Sequence, residues 1–270
     1  MHERIKEFFE KEKIEYYSVL SYADCRQTNP GIIERETFTP KSVIIFLVPY
    51  YISKGENMSS YSTSLDYHLA IKDITGRLKA LVEEIYEGSR SHGYGDHSPI
   101  DERSAALISG LGILGDNGLV INEKYGSYIF IADLVTDVEP SVISAQEPRR
   151  VEFCMHCGRC KETCPTKILS GEGEDCLSAI TQRKGELSDF EIDLMKKYDT
   201  VWGCDECQRC CPYNKNIEKT PIEFFSRERI TRLTKEVVEA MNKEEFSRRA
   251  FSFRGRKTVI RNLEALGYDK

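Results

Sequence analysis

The 270-residue sequence predicts an α+β fold in three parts. Strand-like apolar runs mixed with amphipathic segments over residues 1–147 indicate an α/β domain. Nine of the ten cysteines lie between Cys154 and Cys211, inside a second predicted domain of residues 148–220. Residues 221–270 carry a charged, helical pattern and predict a short tail.

Hydrophobic periodicity predicts the elements of the first part. Apolar residues near a 3.6-residue period predict helices over residues 1–18, 67–87 and 102–109. The apolar run of residues 43–52 is too short for a transmembrane helix, which needs about 20 residues, and predicts a buried strand over 41–50. Residues 118–121 and 128–135 predict two strands joined as a hairpin around Lys124–Gly126.

The charge of the chain is uneven. The net charge of −6 argues against a general polyanion binder, but residues 215–270 hold 14 Lys and Arg against 9 Asp and Glu. This excess predicts a local anionic partner for the tail. The charged N-terminus lacks an apolar export segment, so we expect a cytoplasmic protein without a membrane anchor.

The cysteine spacing predicts iron–sulfur clusters. The first run is Cys154-x2-Cys157-x2-Cys160-x3-Cys164-Pro, the pattern of bacterial ferredoxins. A second run, Cys204-x2-Cys207-x2-Cys210-Cys211-Pro, follows it. Zinc would also accept paired cysteines, but it leaves the register of the first run unexplained. The sequence therefore predicts two [4Fe–4S] clusters.

Two clusters need about eight ligands, and nine cysteines are available. The spacing assigns one cluster to Cys154, Cys157, Cys160 and Cys211. It assigns the other to Cys164, Cys204, Cys207 and either Cys176 or Cys210. Cys25, outside both runs, is interpreted as a plain core or surface thiol.

A glycine-rich segment, Gly110-Leu-Gly112-Ile-Leu-Gly115, matches the pattern of dinucleotide-binding loops. Such a loop must lie after a strand and before a helix. Here a predicted helix precedes the glycines and a strand follows them, so we do not predict a dinucleotide site. The segment instead predicts a turn at which backbone approaches backbone or a large flat ligand.

Several motifs occur in an order that resembles one family. They are Asp66-Tyr67-His68, Asp96-His-Ser-Pro99, Glu102-Arg103, the glycines above, Leu119-Val-Ile121, both cysteine runs, Cys176-Leu-Ser178, Gly203-Cys204-Asp205, Glu244-Glu-Phe246 and Arg261-Asn262. Together they resemble the epoxyqueuosine reductases, cobalamin-dependent iron–sulfur enzymes of queuosine tRNA modification. The resemblance covers roughly residues 60–265, and it implies a short form without the family's C-terminal helical-repeat region.

The resemblance implies a function and a site. It implies reduction of an epoxide to an alkene, epoxyqueuosine to queuosine in tRNA, with cob(I)alamin that two [4Fe–4S] clusters supply with electrons from an external low-potential donor. It makes Cys176 the remaining cluster ligand and Asp96 the general acid, which also lies near the cofactor. It places four further residues near the corrin: Val120, Ile131, Ser178 and Asp205.

Other interpretations of these residues remain open. Asp96 could be a helix N-cap, although Asp101 lies nearer the predicted helix start. Glu102 and Arg103 could form a structural ion pair. The whole chain could be a corrinoid reductase for a small molecule such as an organohalide, or a ferredoxin that only transfers electrons, although a ferredoxin leaves the first 147 residues unexplained.

The tail predicts contact with tRNA. Residues 246–261 contain six basic residues, no acidic residue and three phenylalanines. Cations neutralise phosphates, and aromatic rings stack on exposed bases. The alternative is a solvated helix whose phenylalanines face the core.

Overall fold

The computed structural model describes residues 1–268, which fold as two compact units. Unit 1 comprises residues 1–49 and 68–155, and unit 2 comprises residues 50–67 and the chain from residue 156 onward. Both helices and an antiparallel sheet are present, which confirms the predicted α+β class. The division of the chain at residues 147 and 220 stays a prediction.

Within the described residues, unit 1 contains six strands. They are β1 Tyr17–Ser21, β2 Ser42–Pro49, β3 Ser91–Gly95, β4 Ile113–Leu114, β5 Val120–Ile121 and β6 Ile129–Thr136. Four of them form an antiparallel sheet in the order β1-β2-β6-β3, and β4 and β5 form a second, two-stranded sheet. The helices of unit 1 are α1 Glu3–Lys11, α2 Pro30–Ile33, α3 Tyr67–Ile85, α4 Glu102–Ile108 and α5 Pro140–Ile143. All eight residues of β2 are buried, because the strand lies between β1 and β6.

Two predictions for unit 1 are wrong. The first helix ends at Lys11 rather than near residue 18, because Lys13 adopts a positive φ of 58° and β1 then pairs with β2. The expected hairpin between residues 118–121 and 128–135 does not form. β5 pairs instead with β4, and β6 pairs with β2 and β3.

β3 was missed because glycine replaces the expected apolar alternation. Gly93 and Gly95 lie against α3, where an added Cβ would come within 2.2 Å of Thr75 Cβ and 2.8 Å of Ile71 Cγ2. The helix therefore packs directly on the backbone of the strand. A strand that buries its backbone in this way carries little hydrophobic signal in its sequence.

Unit 2 is a set of short helices and loops. They are α6 Arg159–Glu162, α7 Leu177–Gln182, α8 Asp189–Tyr198, α9 Glu206–Arg209, α10 Lys235–Ala240, α11 Lys243–Ser247 and α12 Arg256–Ala265. Its core includes the fully buried side chains of Trp202, Phe251 and Leu263. In the part of the chain that the structure describes, no helix is both long and apolar enough to cross a bilayer.

The segment of residues 50–67 belongs to unit 2 through backbone pairing. The N–H of Ser59 donates to the carbonyl of Trp202 at 2.8 Å, and the N–H of Thr220 donates to that of Tyr51 at 2.8 Å. Gly203 lies beside Ser59 at a φ of +74°, where an added Cβ would come within 2.4 Å of Ser59 Cβ. A residue other than glycine would therefore push this segment away.

Candidate active site

Three predicted site residues, Asp96, Val120 and Ile131, line one cavity of unit 1. The cavity has a volume of about 280 Å³. Its other lining residues are Glu102, Arg103, Leu119, Ser127, Ile129 and Phe130. The lining thus combines apolar side chains with two carboxyl groups. This combination suits an apolar ligand whose chemistry needs an acid.

The glycine-rich segment brings β4 and β5 together beside this cavity. A Cβ at Gly112 would lie 2.7 Å from the carbonyl oxygen of Ile121 and 2.7 Å from Val120 Cγ1. The predicted close approach of backbone to backbone is therefore present, and it fixes Val120 at the cavity. Gly110, at a φ of +71°, ends the turn that follows α4.

Asp96 lies at the turn that follows β3, with its side chain 58% exposed. It adopts a φ of +67°, in the left-handed region that few residues other than glycine occupy. Its N–H donates to Glu102 Oε1 at 3.0 Å, and its Oδ2 lies 3.6 Å from His68 Nε2. Within the turn, the Glu102 bond holds the Asp96 backbone in this strained conformation.

The N-cap of α4 is Asp101 and not Asp96. The Ser104 N–H donates to Asp101 Oδ1 at 3.1 Å, and Arg26 forms a salt bridge with Asp101 at 2.9 Å. Asp96 therefore does not cap α4, a role that the sequence had left open for it. The geometry also contradicts an ion pair between Glu102 and Arg103, because the Arg103 guanidinium donates to the carbonyl of Gly118 at 3.2 Å.

Glu102 is the half-buried carboxyl group of the cavity. Burial first, and then the negative charges of Asp133 and Asp96, together raise its pKa to about 8, while the Asp96 N–H opposes them. The start of a helix favours a negative charge by about 0.3–1 kcal/mol. Since one pKa unit corresponds to about 1.4 kcal/mol, burial outweighs the helix and Glu102 holds its proton at neutral pH.

Asp133 is a second buried acid that the sequence analysis missed. It lies on β6 with no exposed surface, and neither carboxyl oxygen has a hydrogen-bond partner in the described part of the chain. Burial raises its pKa to about 7; the Ser98 hydroxyl favours the charged form but lies outside hydrogen-bond geometry. One acid within the apolar strand IFIADLV was the only signal in the sequence.

The other two predicted corrin contacts, Ser178 and Asp205, lie in unit 2. Ser178 is on α7, and its hydroxyl accepts a hydrogen bond from Gln182 at 2.9 Å. Asp205 is buried, and its carboxylate accepts hydrogen bonds from the Ser59 hydroxyl and from the Ser60 N–H, the latter at 2.7 Å. The Asp205 carboxylate thus holds the segment of residues 50–67.

The second group of cysteines gathers around Cys204. Burial first, and then the charges of Cys176, Asp205 and Cys164, together raise the pKa of Cys204 to about 12. At Cys164, burial opposes ionisation, but N–H groups of the following loop, Leu169 first among them, lower the pKa of the thiol below its ordinary value. Such N–H groups suit a thiolate that ligates a cluster.

Cys210 has different surroundings from Cys176. Its Sγ accepts a hydrogen bond from the Thr163 hydroxyl at 3.1 Å and donates to the carbonyl of Cys207 at 3.4 Å. Cys176 is exposed at the N-cap of α7. No disulfide is present among the described residues, so all nine clustered thiols are available as ligands.

The remaining cysteines lie before, within or between short elements of structure. Cys154 directly follows the β-bridge between residues 114 and 153, and its N–H donates to the carbonyl of Leu114 at 3.0 Å. Cys157 precedes α6, and Cys160 is the second residue of that helix. Cys211 immediately precedes Pro212. Cys25 is a core thiol, and burial raises its pKa to about 12. Cys25 is therefore unreactive at neutral pH.

Most of the basic tail stabilises the fold. Arg249 is buried against the carbonyl of Glu228, Arg256 donates to the carbonyl of Met241 at 2.7 Å, and Arg261 donates to that of Arg183 at 2.8 Å. Phe246 and Phe251 are buried. The interpretation of these rings as core residues is correct.

Five cations of the described chain line a cavity of about 520 Å³ at the start of α12. Arg256 and Arg261 are bound to backbone carbonyls. The other three are Lys184, Arg254 and Lys257, and none of these has an ion-pair partner among the described residues. Phe253 is 58% exposed, with the Arg254 guanidinium 4.9 Å from its ring centre. We name Lys184, Arg254, Lys257 and Phe253 the basic depression.

Comparison with known proteins identifies the family. Residues 153–214 match the 4Fe-4S double cluster binding domain. An epoxyqueuosine reductase from Cyclobacterium marinum is 33% identical over 223 residues, which cover 77% of this chain and 69% of that protein. The chain belongs to the epoxyqueuosine reductase family. An epoxyqueuosine reductase from Lactococcus garvieae is also 33% identical, over 73% of this chain, but the match spans only 57% of that protein.

Solved structures of epoxyqueuosine reductases share the fold. The structure from Streptococcus thermophilus has a TM-score of 0.77 at 25% identity, and the match covers 97% of this chain and 80% of that one. A structure of an epoxyqueuosine reductase with an epoxyqueuosine-modified tRNA-Tyr stem loop has a TM-score of 0.77 at 19% identity, over 98% and 80% of the two chains. The match of residues 153–214 to a double cluster binding domain makes two [4Fe–4S] clusters the cofactors of this part of the chain.

Proposed function

We propose that this chain is an oxidoreductase that reduces an epoxide to an alkene, converting epoxyqueuosine in tRNA to queuosine. The observation that carries the proposal is the cavity of unit 1, where Asp96, Val120 and Ile131 meet in a chain that also has a double-cluster domain. Within this proposal, residues 1–147 form the cobalamin-binding domain, 148–220 the cluster domain and 221–270 the basic tail.

The reaction consumes two electrons and two protons per epoxide and releases one water. Cobalamin, when bound, supplies a low-valent cobalt centre for electron transfer to carbon, and the clusters deliver electrons singly from an external low-potential donor. An alkoxide is a poor leaving group, so the oxygen must be protonated as it departs. Asp96, exposed at the cavity, is positioned to donate that proton.

The cysteine assignment follows from spacing and surroundings. We propose that Cys154, Cys157, Cys160 and Cys211 bind one cluster, and Cys164, Cys176, Cys204 and Cys207 bind the other. The charges of Cys164 and Cys176 act on Cys204, which favours Cys176 as the fourth ligand. Cys210 already bonds to Thr163 and the carbonyl of Cys207.

The residues proposed near the corrin divide into two kinds. Val120 and Ile131 offer the apolar surface that a flat macrocycle needs. Ser178 and Asp205 are proposed from the family resemblance. Since the Asp205 carboxylate binds Ser59 and Ser60, we expect it to act by fixing the backbone of that segment.

The basic depression is the proposed contact for tRNA phosphates. Lys184, Arg254 and Lys257 are exposed, and Phe253 offers a ring for a base to stack on. The tRNA is a cytoplasmic molecule, so the proposed location of the protein is the cytoplasm.

Anaerobic reconstitution tests the function. Protein reconstituted with iron, sulfide and cobalamin should show a corrinoid absorption band and, with a low-potential reductant, should convert epoxyqueuosine-containing tRNA to queuosine-containing tRNA. Failure to take up cobalamin would favour an electron-transfer ferredoxin. Cobalamin uptake with reduction of organohalides but not of the modified tRNA would favour a small-molecule reductase.

A further inference from the structure

One side chain bonds directly to the backbone of the turn that carries Asp96. Asp96 has a positive φ and an exposed carboxylate. Its N–H donates to Glu102 Oε1 at 3.0 Å. Loss of this bond would allow the residue to relax toward the more populated regions with negative φ.

Glu102 is itself anchored rigidly. It is the first residue of α4, directly after the N-cap Asp101, whose N–H donates to the carbonyl of Arg26 at 2.8 Å. The same helix buries Ala105 and Ala106 completely in the core of unit 1. The helix start therefore forms a fixed support for Asp96.

The groups facing Glu102 are acidic. Asp133 approaches from β6, Asp96 from the turn after β3 and Asp101 from the residue before α4. The neighbouring Arg103 is bound to the carbonyl of Gly118, and no cation pairs with Glu102 among residues 1–268. His68 on α3 faces Asp96.

We propose that Glu102 is the positioning residue of the general acid: its Oε1 holds Asp96 at the cavity by accepting the Asp96 N–H. The inference rests on the proposed function, because it assigns Glu102 a part in protonation by Asp96. The Asp96 N–H lowers the pKa of Glu102, so an ionised Glu102 accepts this hydrogen bond as well.

Two variants test the positioning role. Glu102→Gln retains an oxygen that accepts the Asp96 N–H, whereas Glu102→Ala has no acceptor at this position. We expect Glu102→Ala to lower kcat about 10- to 100-fold with little change in KM, because a misplaced catalytic group costs rates of this order. We expect Glu102→Gln to retain most of kcat. Glu87→Gln, exposed and outside the cavity, is the matched control.

A readout on protein without substrate keeps the test independent of turnover. Amide hydrogen exchange at Asp96 should be faster in Glu102→Ala and unchanged in Glu102→Gln. If wild-type protein does not reduce the modified tRNA, the proposed function fails, and amide exchange alone decides the positioning role. Equal amide exchange in wild type and Glu102→Ala would overturn it.

Discussion

The cavity of unit 1 and the basic depression of unit 2 hold charged groups in opposite ways. At the cavity, the half-buried Glu102 and the buried Asp133 behind it have no cation opposite them in the described chain, and burial raises the pKa of each. In the depression, Lys184 and Lys257 are exposed to water, while the neighbouring Arg256 is bound to backbone carbonyls. Burial thus shifts the pKa of the first set, whereas the second set presents its charge to solvent.

The difference ranks the two regions by expected effect. A buried group that changes protonation near neutral pH can take part in proton transfer, and its removal changes rates by orders of magnitude. An exposed cation attracts an anion through water and salt, and each such contact contributes little. The proposed cluster ligands should have a larger effect than either region, since they would bind their cofactor directly.

The largest expected effect is the loss of a cluster. Cys176→Ser should remove about half of the iron and abolish turnover, because the double-cluster domain then lacks a ligand for one of its two cubanes. Iron and sulfide analysis of anaerobic protein measures this. Cys210→Ser is the matched control and should keep its full iron content. Iron loss in Cys210→Ser with retention in Cys176→Ser would reverse the proposed assignment.

Removal of the exposed acid at the cavity comes next. Asp96→Asn should lower kcat about 10²- to 10⁴-fold, the usual contribution of a general acid, and leave cobalamin binding intact. Single-turnover assays with a spectroscopic cobalamin titration measure both. Asp24→Asn, on the surface of the same unit, should behave as wild type. Normal turnover in Asp96→Asn would show that the proton comes from another group.

Cysteine spacing predicted the two iron–sulfur clusters, but composition could not predict the acids at the cavity. The spacing from Cys154 to Cys164 matches the geometry of a cluster, so the local sequence is sufficient to predict one. Asp133 becomes chemically distinctive only because β6 lies between β2 and β3, and this pairing is not local. The tail shows the same limit, because the number of arginines in residues 246–261 does not reveal that Arg249 and Arg256 bind carbonyl groups.

The third effect is a pH dependence of stability in unit 1. The pKa of Asp133 rises from an ordinary value near 3.9 to about 7 on folding, so the folded state binds a proton that the unfolded state releases. Its contribution to stability is therefore complete below about pH 4 and is lost as the pH rises to about 7. Between these values Asp133→Asn should flatten the fall in unfolding free energy by up to about 1.4 kcal/mol per pH unit.

Denaturant unfolding at several pH values measures this slope. The slope of the unfolding free energy against pH is taken within each variant. A pH-independent cost of burying an amide in place of the Asp133 carboxyl therefore does not affect it. Glu102→Gln should flatten a separate part of the profile, extending to about pH 8. Parallel profiles for wild type and Asp133→Asn would mean that Asp133 is ionised in the folded protein.

The smallest effect is expected at the basic depression. Lys184→Glu combined with Lys257→Glu should weaken tRNA binding about tenfold at low salt, because two phosphate contacts are replaced by repulsion. The dependence of affinity on salt should also become shallower by about one unit of slope per lost contact. Lys219→Glu, exposed in unit 2 but outside the depression, is the control for net charge. Since Lys184 and Lys257 have no ion-pair partner among the described residues, the folded stability should not change. Unchanged affinity and salt slope in the double variant would remove the depression from the tRNA interface, while equal weakening in Lys219→Glu would reduce its role to that of overall charge.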